Sequence, residues 1–112
     1  MNRNTEDRIK TMLGFASKAG QLITGTAAVT DAIKKQRVFL VICADDLASR
    51  TLRNFQLLCE QNKILFFRFG ARFELGHWIG HPDRGIIGVV SKQFASTIGA
   101  LLQAEMKNID DV

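Results

Sequence analysis

Several groups of residues in this 112-residue chain have types and spacings that could do chemistry. Asp45 and Asp46, in "CADD", close a continuous apolar run. Paired carboxylates at the carboxyl end of a strand can hold a divalent metal, as phosphoryl-transfer sites do. The same pair also serves as a solvated turn leading to Ser49, a helix cap. Glu60, Glu74 and Asp83 belong to other segments, so no second acidic cluster supplies further ligands, and the turn is the preferred reading. His77 and His81 are spaced i, i+4 and would share a helix face, but zinc needs a third ligand and only Asp83 is near. Gly80 and Pro82 end the helix between them, which leaves ordinary surface histidines. Cys43 and Cys59 lie in apolar segments without a C-x-x-C, and read as two buried free thiols. No G-x-S-x-G, Cys–His pairing, phosphate loop or dinucleotide fingerprint is present. The expectation is a protein without catalysis, metal or cofactor.

The remaining group is the junction in "LITGTAAVTDAIKK", Leu22 to Lys35. A β-branched run stops at Thr24-Gly25-Thr26, and an Ala-rich amphipathic segment begins at once. Such a junction aims the free N–H groups of a helix at a cap, here Thr24 or Thr26, or at an anion. Gly25 lets a backbone or a nucleotide approach closely.

The elements that must position these groups follow from periodicity and punctuation. A first helix, capped by Asn4 or Thr5, buries Ile9, Leu13 and Ala16 and stops at Gly20. Leu22 and Ile23 make a short strand, and a second helix runs from about Thr26 to Gln36. Val38 to Ala44 is apolar throughout, the mark of a central strand covered on both faces. A third helix from Arg50 to about Asn62, a strand from Ile64 to Phe69, a short helix in "ARFELGHWIG" and the loop "HPDRG" come next. Ile86 to Ser91 is the last strand, and Phe94 to Lys107 the closing helix, followed by a frayed acidic tail. This alternation gives a three-layer α/β/α sandwich around a small mixed sheet.

One domain over residues 1–112, with an acidic tail from about Glu105, fits the length. The formal charge is +4, and residues 1–37 alone carry seven Lys/Arg against three acids. That local excess suits an anionic partner such as RNA. No apolar run reaches the length needed to span a bilayer, and the N-terminus has no signal-peptide core, so the expected location is the cytoplasm and no membrane partner is expected.

Taken in order, "LGFASKAGQLITGTAAVTDAIKKQ", "FLVICADDLASRT", "ELGHWIG" and "IIGVVSKQFAS" resemble the ribosomal-protein superfamily that binds kink-turn RNA, the L seven Ae / L thirty e group. The likeness covers nearly the whole chain and is greatest to its small bacterial members. It rests on A-x-x-A-G-x-L-x-x-G, on A-x-D after the central strand and on L-G-x-x-x-G. The resemblance implies a non-catalytic, cytoplasmic RNA-binding protein, tied to the ribosome or another structured RNA, with a possible protein partner in a ribonucleoprotein. It implies that RNA is held at the start of the second helix and by the loop before the last strand. The family's G-x-N-E-x-x-K pattern falls on Gly25, Ala27, Ala28 and Asp31, and only Gly25 matches. Thr24, Gly25, Thr26 and Arg84 are then expected to position RNA, with Lys34, Lys35 and Arg37 attracting phosphate. Trp78, where relatives have a small residue, either fills the core or offers a stacking surface, and packing is preferred. The Ala27–Ala28 pair beside Asp31 also allows a protein-interaction module with an eroded RNA site.

Overall fold

Leu40, Val41, Ile42, Cys43 and Ala44 are all without exposed surface, so both faces of this stretch must be covered. The structure, a computed structural model, describes residues 3–81 and 84–110, without the side chains of residues 3 and 107–110. Pro82, Asp83 and the acidic side chains of the tail beyond Met106 lie outside the described residues. The element order is α1 (Arg3–Lys18), β1 (Leu22–Thr24), α2 (Thr26–Lys34), β2 (Leu40–Cys43), α3 (Ser49–Gln61), β3 (Leu65–Arg68), α4 (Arg72–Ile79), β4 (Ile86–Val89) and α5 (Lys92–Asp110).

The sheet order is β1-β4-β2-β3. β4 runs antiparallel to both β1 and β2, while β2 and β3 are parallel and joined through α3. Side chains of β2 alternate between two cores, as the strand period requires. Leu40 and Ile42 join Ile9 and Leu13 of α1, Leu75 of α4 and Ile98 and Leu102 of α5. Val41 and Cys43 join Val29 and Ile33 of α2 and Leu52, Phe55 and Cys59 of α3. The expected mixed sheet between two helical layers is therefore the observed architecture.

Register places the ends of β1, β2 and β3 together with the start of β4: Thr24 opposes Ile87, Cys43 opposes Ile86, and Cys43 opposes Arg68. Loops meeting there are tied by backbone bonds. Ala44 N–H donates to Gly85 O at 2.8 Å, and Asp45 N–H to Gly70 O at 2.8 Å.

Several expected boundaries move. Asn4 and Thr5 sit inside α1 rather than capping it, because the helix already starts at Arg3. Ser49 is the first residue of α3, with Ala48 at the cap position and no side-chain cap bond. The hydroxyl that does cap is that of Ser91, whose Oγ accepts the Phe94 N–H at 3.2 Å, so α5 starts two residues early at Lys92. α2 stops at Lys34, since Gln36 turns left-handed at φ 58°. As expected from Gly80, α4 ends at Ile79, with Gly80 left-handed, so His81 leaves the helix and the two histidines share no helical face. The closing helix does not fray at Glu105, which is 3% exposed. The spacing Ile98, Leu102, Glu105 puts it on the inward stripe. Trp78 packs: its ring lies 5.8 Å from that of Phe69, its edge is 3.2 Å from where a Gly70 Cβ would stand, and Lys10 Nζ sits 5.0 Å from its centroid.

Both thiols are buried and free. Burial pushes each from 9.0 up to about 12, with the neighbouring Cys59 adding to the rise at Cys43 and Arg68 opposing it. The native protein thus keeps both protons in a range where the unfolded chain sheds them. Their contribution is complete below the unfolded value and is lost as pH rises through the folded one. At about pH 8 a thiol reagent should label neither cysteine until denaturant is added. Between about pH 9 and 11 the wild type should lose urea stability faster than a Cys43→Ala, Cys59→Ala double variant. Prompt labelling of the native protein would contradict the burial.

Candidate nucleic-acid interface

The loop end of the sheet brings together two segments far apart in sequence, the β1–α2 junction and the residues before β4. Gly25 links them: its N–H donates to Ile86 O at 3.0 Å, continuing the β1–β4 ladder by one residue. It then adopts φ 97°, ψ 155° as the N-cap of α2. That combination is almost confined to glycine. Neither Thr24 nor Thr26 caps the helix, and among the described residues no side chain bonds its first N–H groups. Thr26, Ala27 and Ala28 are exposed, so the helix opens to solvent.

Arg84 lies over this opening. Its Nη1 is 2.8 Å from where a Gly25 Cβ would stand, and its backbone N–H donates to His81 O at 3.3 Å. A guanidinium thus rests against the positive end of a helix dipole, two like partial charges held together with no carboxylate among the described residues bridging them. The pair is suited to an anion entering between them. Arg72, which the sequence reading did not single out, flanks the same loop, with Cγ 3.2 Å from where a Gly85 Cβ would stand. Its signal was the Gly70-Ala71-Arg72 turn, which sets a basic residue at the first position of α4.

The other expected residues divide by helix face. Asp31 and Lys35 pair with each other at 3.1 Å on the exposed side. Lys34 shares a stripe with Thr26 and Thr30 along the α2–α3 groove. Arg37 falls beyond the other end of the nine-residue α2, about 13 Å or more from Gly25 by helix rise, and the fold does not bring it to the junction.

Asp45 and Asp46 serve separate elements. Asp45 Oδ1 accepts Arg68 Nε at 3.0 Å, while Asp46 Oδ1 accepts the Arg72 N–H at 2.8 Å at the start of α4. Together they fasten the loop after β2 to its neighbours. Among the described residues, no three His, Cys, Asp or Glu side chains converge on a metal position.

A family model, described as the Ribosomal protein L7Ae/L30e/S12e/Gadd45 family, matches residues 7–98. The chain belongs to this family. Within the L7Ae/L30e/S12e/Gadd45 group it is similar to "RNA-binding protein YlxQ" of Bacillus subtilis, at 29% identity over 91 residues, 81% of this chain and 91% of that one. The protein of the same name from Enterococcus faecium is 25% identical over 103 residues, 92% of this chain and 99% of its own. Among solved structures, a protein of unknown function from Bacillus halodurans superposes with a TM-score of 0.84 at 32% identity, covering 86% of this chain and 97% of that chain. The Giardia lamblia 15.5kD RNA binding protein shares the fold at a TM-score of 0.77 and 12% identity, over 93% and 89% of the two chains.

Replacing Gly25 tests the junction. An added Cβ meets only the far end of Arg84, which can swing aside, whereas the backbone cannot leave φ 97° without breaking the bond to Ile86. Backbone strain should therefore dominate. Gly25→Ala should lower unfolding stability by about 1–3 kcal/mol. Most of that loss should persist in an Arg84→Ala background, as read by urea denaturation of the two single variants and the double variant. Full relief by Arg84→Ala would mean that contact with the guanidinium sets the cost.

Proposed function

We propose that this chain is a non-catalytic RNA-binding protein that grips structured RNA mainly by its phosphates, at the α2 opening and the loop before β4. The observation that carries this reading is the Arg84 guanidinium resting on Gly25 beside uncapped helix N–H groups. A phosphate bound there would relieve the cation–dipole opposition and take hydrogen bonds from both sides. Relatives along nearly the full length carry the name RNA-binding protein, which supports the same class of ligand.

In this reading Thr24, Gly25 and Thr26 shape the cradle, Arg84 and Lys34 meet phosphate, and Arg37 extends attraction past the far end of the helix. The charge of Lys35 is partly neutralised by Asp31. Ala27 and Ala28 present no hydrogen-bonding groups to base edges, so sequence discrimination is weak and binding relies on shape and charge. A kink-turn or a comparable bend in a ribosomal or other ribonucleoprotein RNA is the proposed target, encountered in the cytoplasm. The whole chain acts as one domain.

Affinity for a kink-turn duplex should fall with salt at a log–log slope of roughly −2 to −4, and Arg84→Ala should make the slope shallower by about 1. A flat salt response in the wild type would remove RNA as the ligand and favour docking of a protein on the Ala27–Ala28 face.

Restoring base-reading groups gives a second test. Ala27→Asn, Ala28→Glu and Asp31→Lys all fall on exposed positions. The carboxylate introduced by Ala28→Glu, in the first turn, gains about 0.3–1 kcal/mol from the helix dipole. That gain is comparable to the roughly 0.4–1 kcal/mol that Asp31→Lys loses by giving up its ion pair with Lys35 and facing it with a like charge. The triple variant should fold and should bind the kink-turn at least about tenfold more tightly, since one good base contact is worth about 1–3 kcal/mol. A folded variant with no gain in the titration would show that this helix end does not meet base edges.

A further inference from the structure

A second cavity opens at the same end of the sheet, on the side of α1, α4 and α5. Its volume is about 670 Å³. Carboxylates reach it from four places: Glu6 on α1, Asp45 and Asp46 after β2, Glu74 on α4 and Glu105 on α5. Arg68 is the basic side chain among the residues that line it. An acidic surface on a chain with an excess of four positive charges is notable for its sign.

Glu105 is the decisive group. It is 3% exposed, it lines the cavity, and neither carboxylate oxygen has a hydrogen-bond partner among the described residues. Burying a carboxylate without a donor is strongly unfavourable, so such groups are as a rule paired or bound. Two cations of the described residues near the cavity, Lys10 and Arg68, are engaged with other acids. Lys10 lies 3.8 Å from Glu6 and 3.9 Å from Asp7, and Arg68 holds Asp45 at 3.0 Å. Asp46 and Glu74 already accept one backbone N–H each, from Arg72 and Ala71.

We propose that this cavity binds an aliphatic polyamine, with Glu105 as the anchor of one ammonium group. A metal ion is a poor fit, because the described carboxylates do not converge. Acids on four separate segments around the cavity match ammonium groups separated by methylenes. The lining also includes the apolar side chains of Phe69, Ala71 and Met106, which suit the methylene chain. Met106, 45% exposed and one residue past Glu105, is an unbranched, adaptable side chain that can move to admit an ammonium to the buried oxygens. This inference depends on none of the RNA contacts.

The test is a titration of the RNA-free protein with spermidine, followed by calorimetry and by amide chemical shifts. Saturable binding is expected, with shifts centred on Phe69, Gly70 and Met106. Glu105→Gln keeps the side-chain shape, removes an uncompensated charge, and should weaken binding by at least about tenfold. Met106→Trp, which fills the cavity from its exposed side, should weaken it as well and keeps the test open if the first variant does not fold. Glu60→Gln, on the far helical layer, should leave affinity unchanged. Absence of saturable binding, or equal affinity in wild type and Glu105→Gln, would overturn the proposal. So would a lysine-rich peptide that binds at these residues when spermidine does not, since the cation would then belong to a partner protein.

Discussion

The dry strand Leu40–Cys43 is the constraint from which the rest of the structure follows. Its side chains have no exposed surface on either side, so one helical layer must cover Leu40 and Ile42 and another must cover Val41 and Cys43. A strand covered twice needs neighbours on both edges, because buried N–H and C=O groups cannot be left to water. β4 supplies one edge and β3 the other. With β3 parallel and β4 antiparallel, the ends of β2 and β3 meet the start of β4, and the loops gather at one end of the sheet.

That gathering makes two unlike loop clusters neighbours. At the β1–β4 side the backbone dominates: an uncapped helix, a glycine in a conformation other residues avoid, and a guanidinium laid over it. At the β3 side the side chains dominate, and they are acidic. The loop after β2 runs between them, with Ala44 bonded to Gly85 on one side and Asp45 bonded to Gly70 on the other. Asp45 and Asp46 look catalytic in isolation but act as fasteners, one on Arg68 and one on the start of α4. One oxygen of each is taken up in tying the loop after β2 to its neighbours.

Much of this was legible in the sequence, because burial and backbone geometry leave local marks. The apolar run through Ala44, the helical stripes, and Gly25 at a strand-to-helix junction each point to one physical requirement. Features that depend on a distant partner were harder to read. Ser49 and Ser91 have equal capping chemistry, and only the path of the chain decides that Ser91 does the capping. Nothing local shows that Arg84 will lie on Gly25, although family likeness pointed to both. Glu105 was masked by its charge. In a tail with further acids it reads as solvated, while its spacing from Ile98 and Leu102 places it inward, and the packing of α1 against α5 makes the spacing win.

The pairing of β1 with β4 has a consequence for the making of the protein. β1 is the first strand of the sheet in chain order, yet its hydrogen-bonded neighbour is the last. Until β4 is in place, β1 has no strand partner and Gly25 lacks both its bond to Ile86 and its contact with Arg84. Such long-range closure is slow and comes late in folding. The Gly25–Arg84 junction is therefore completed only when the last strand of the sheet pairs with the first.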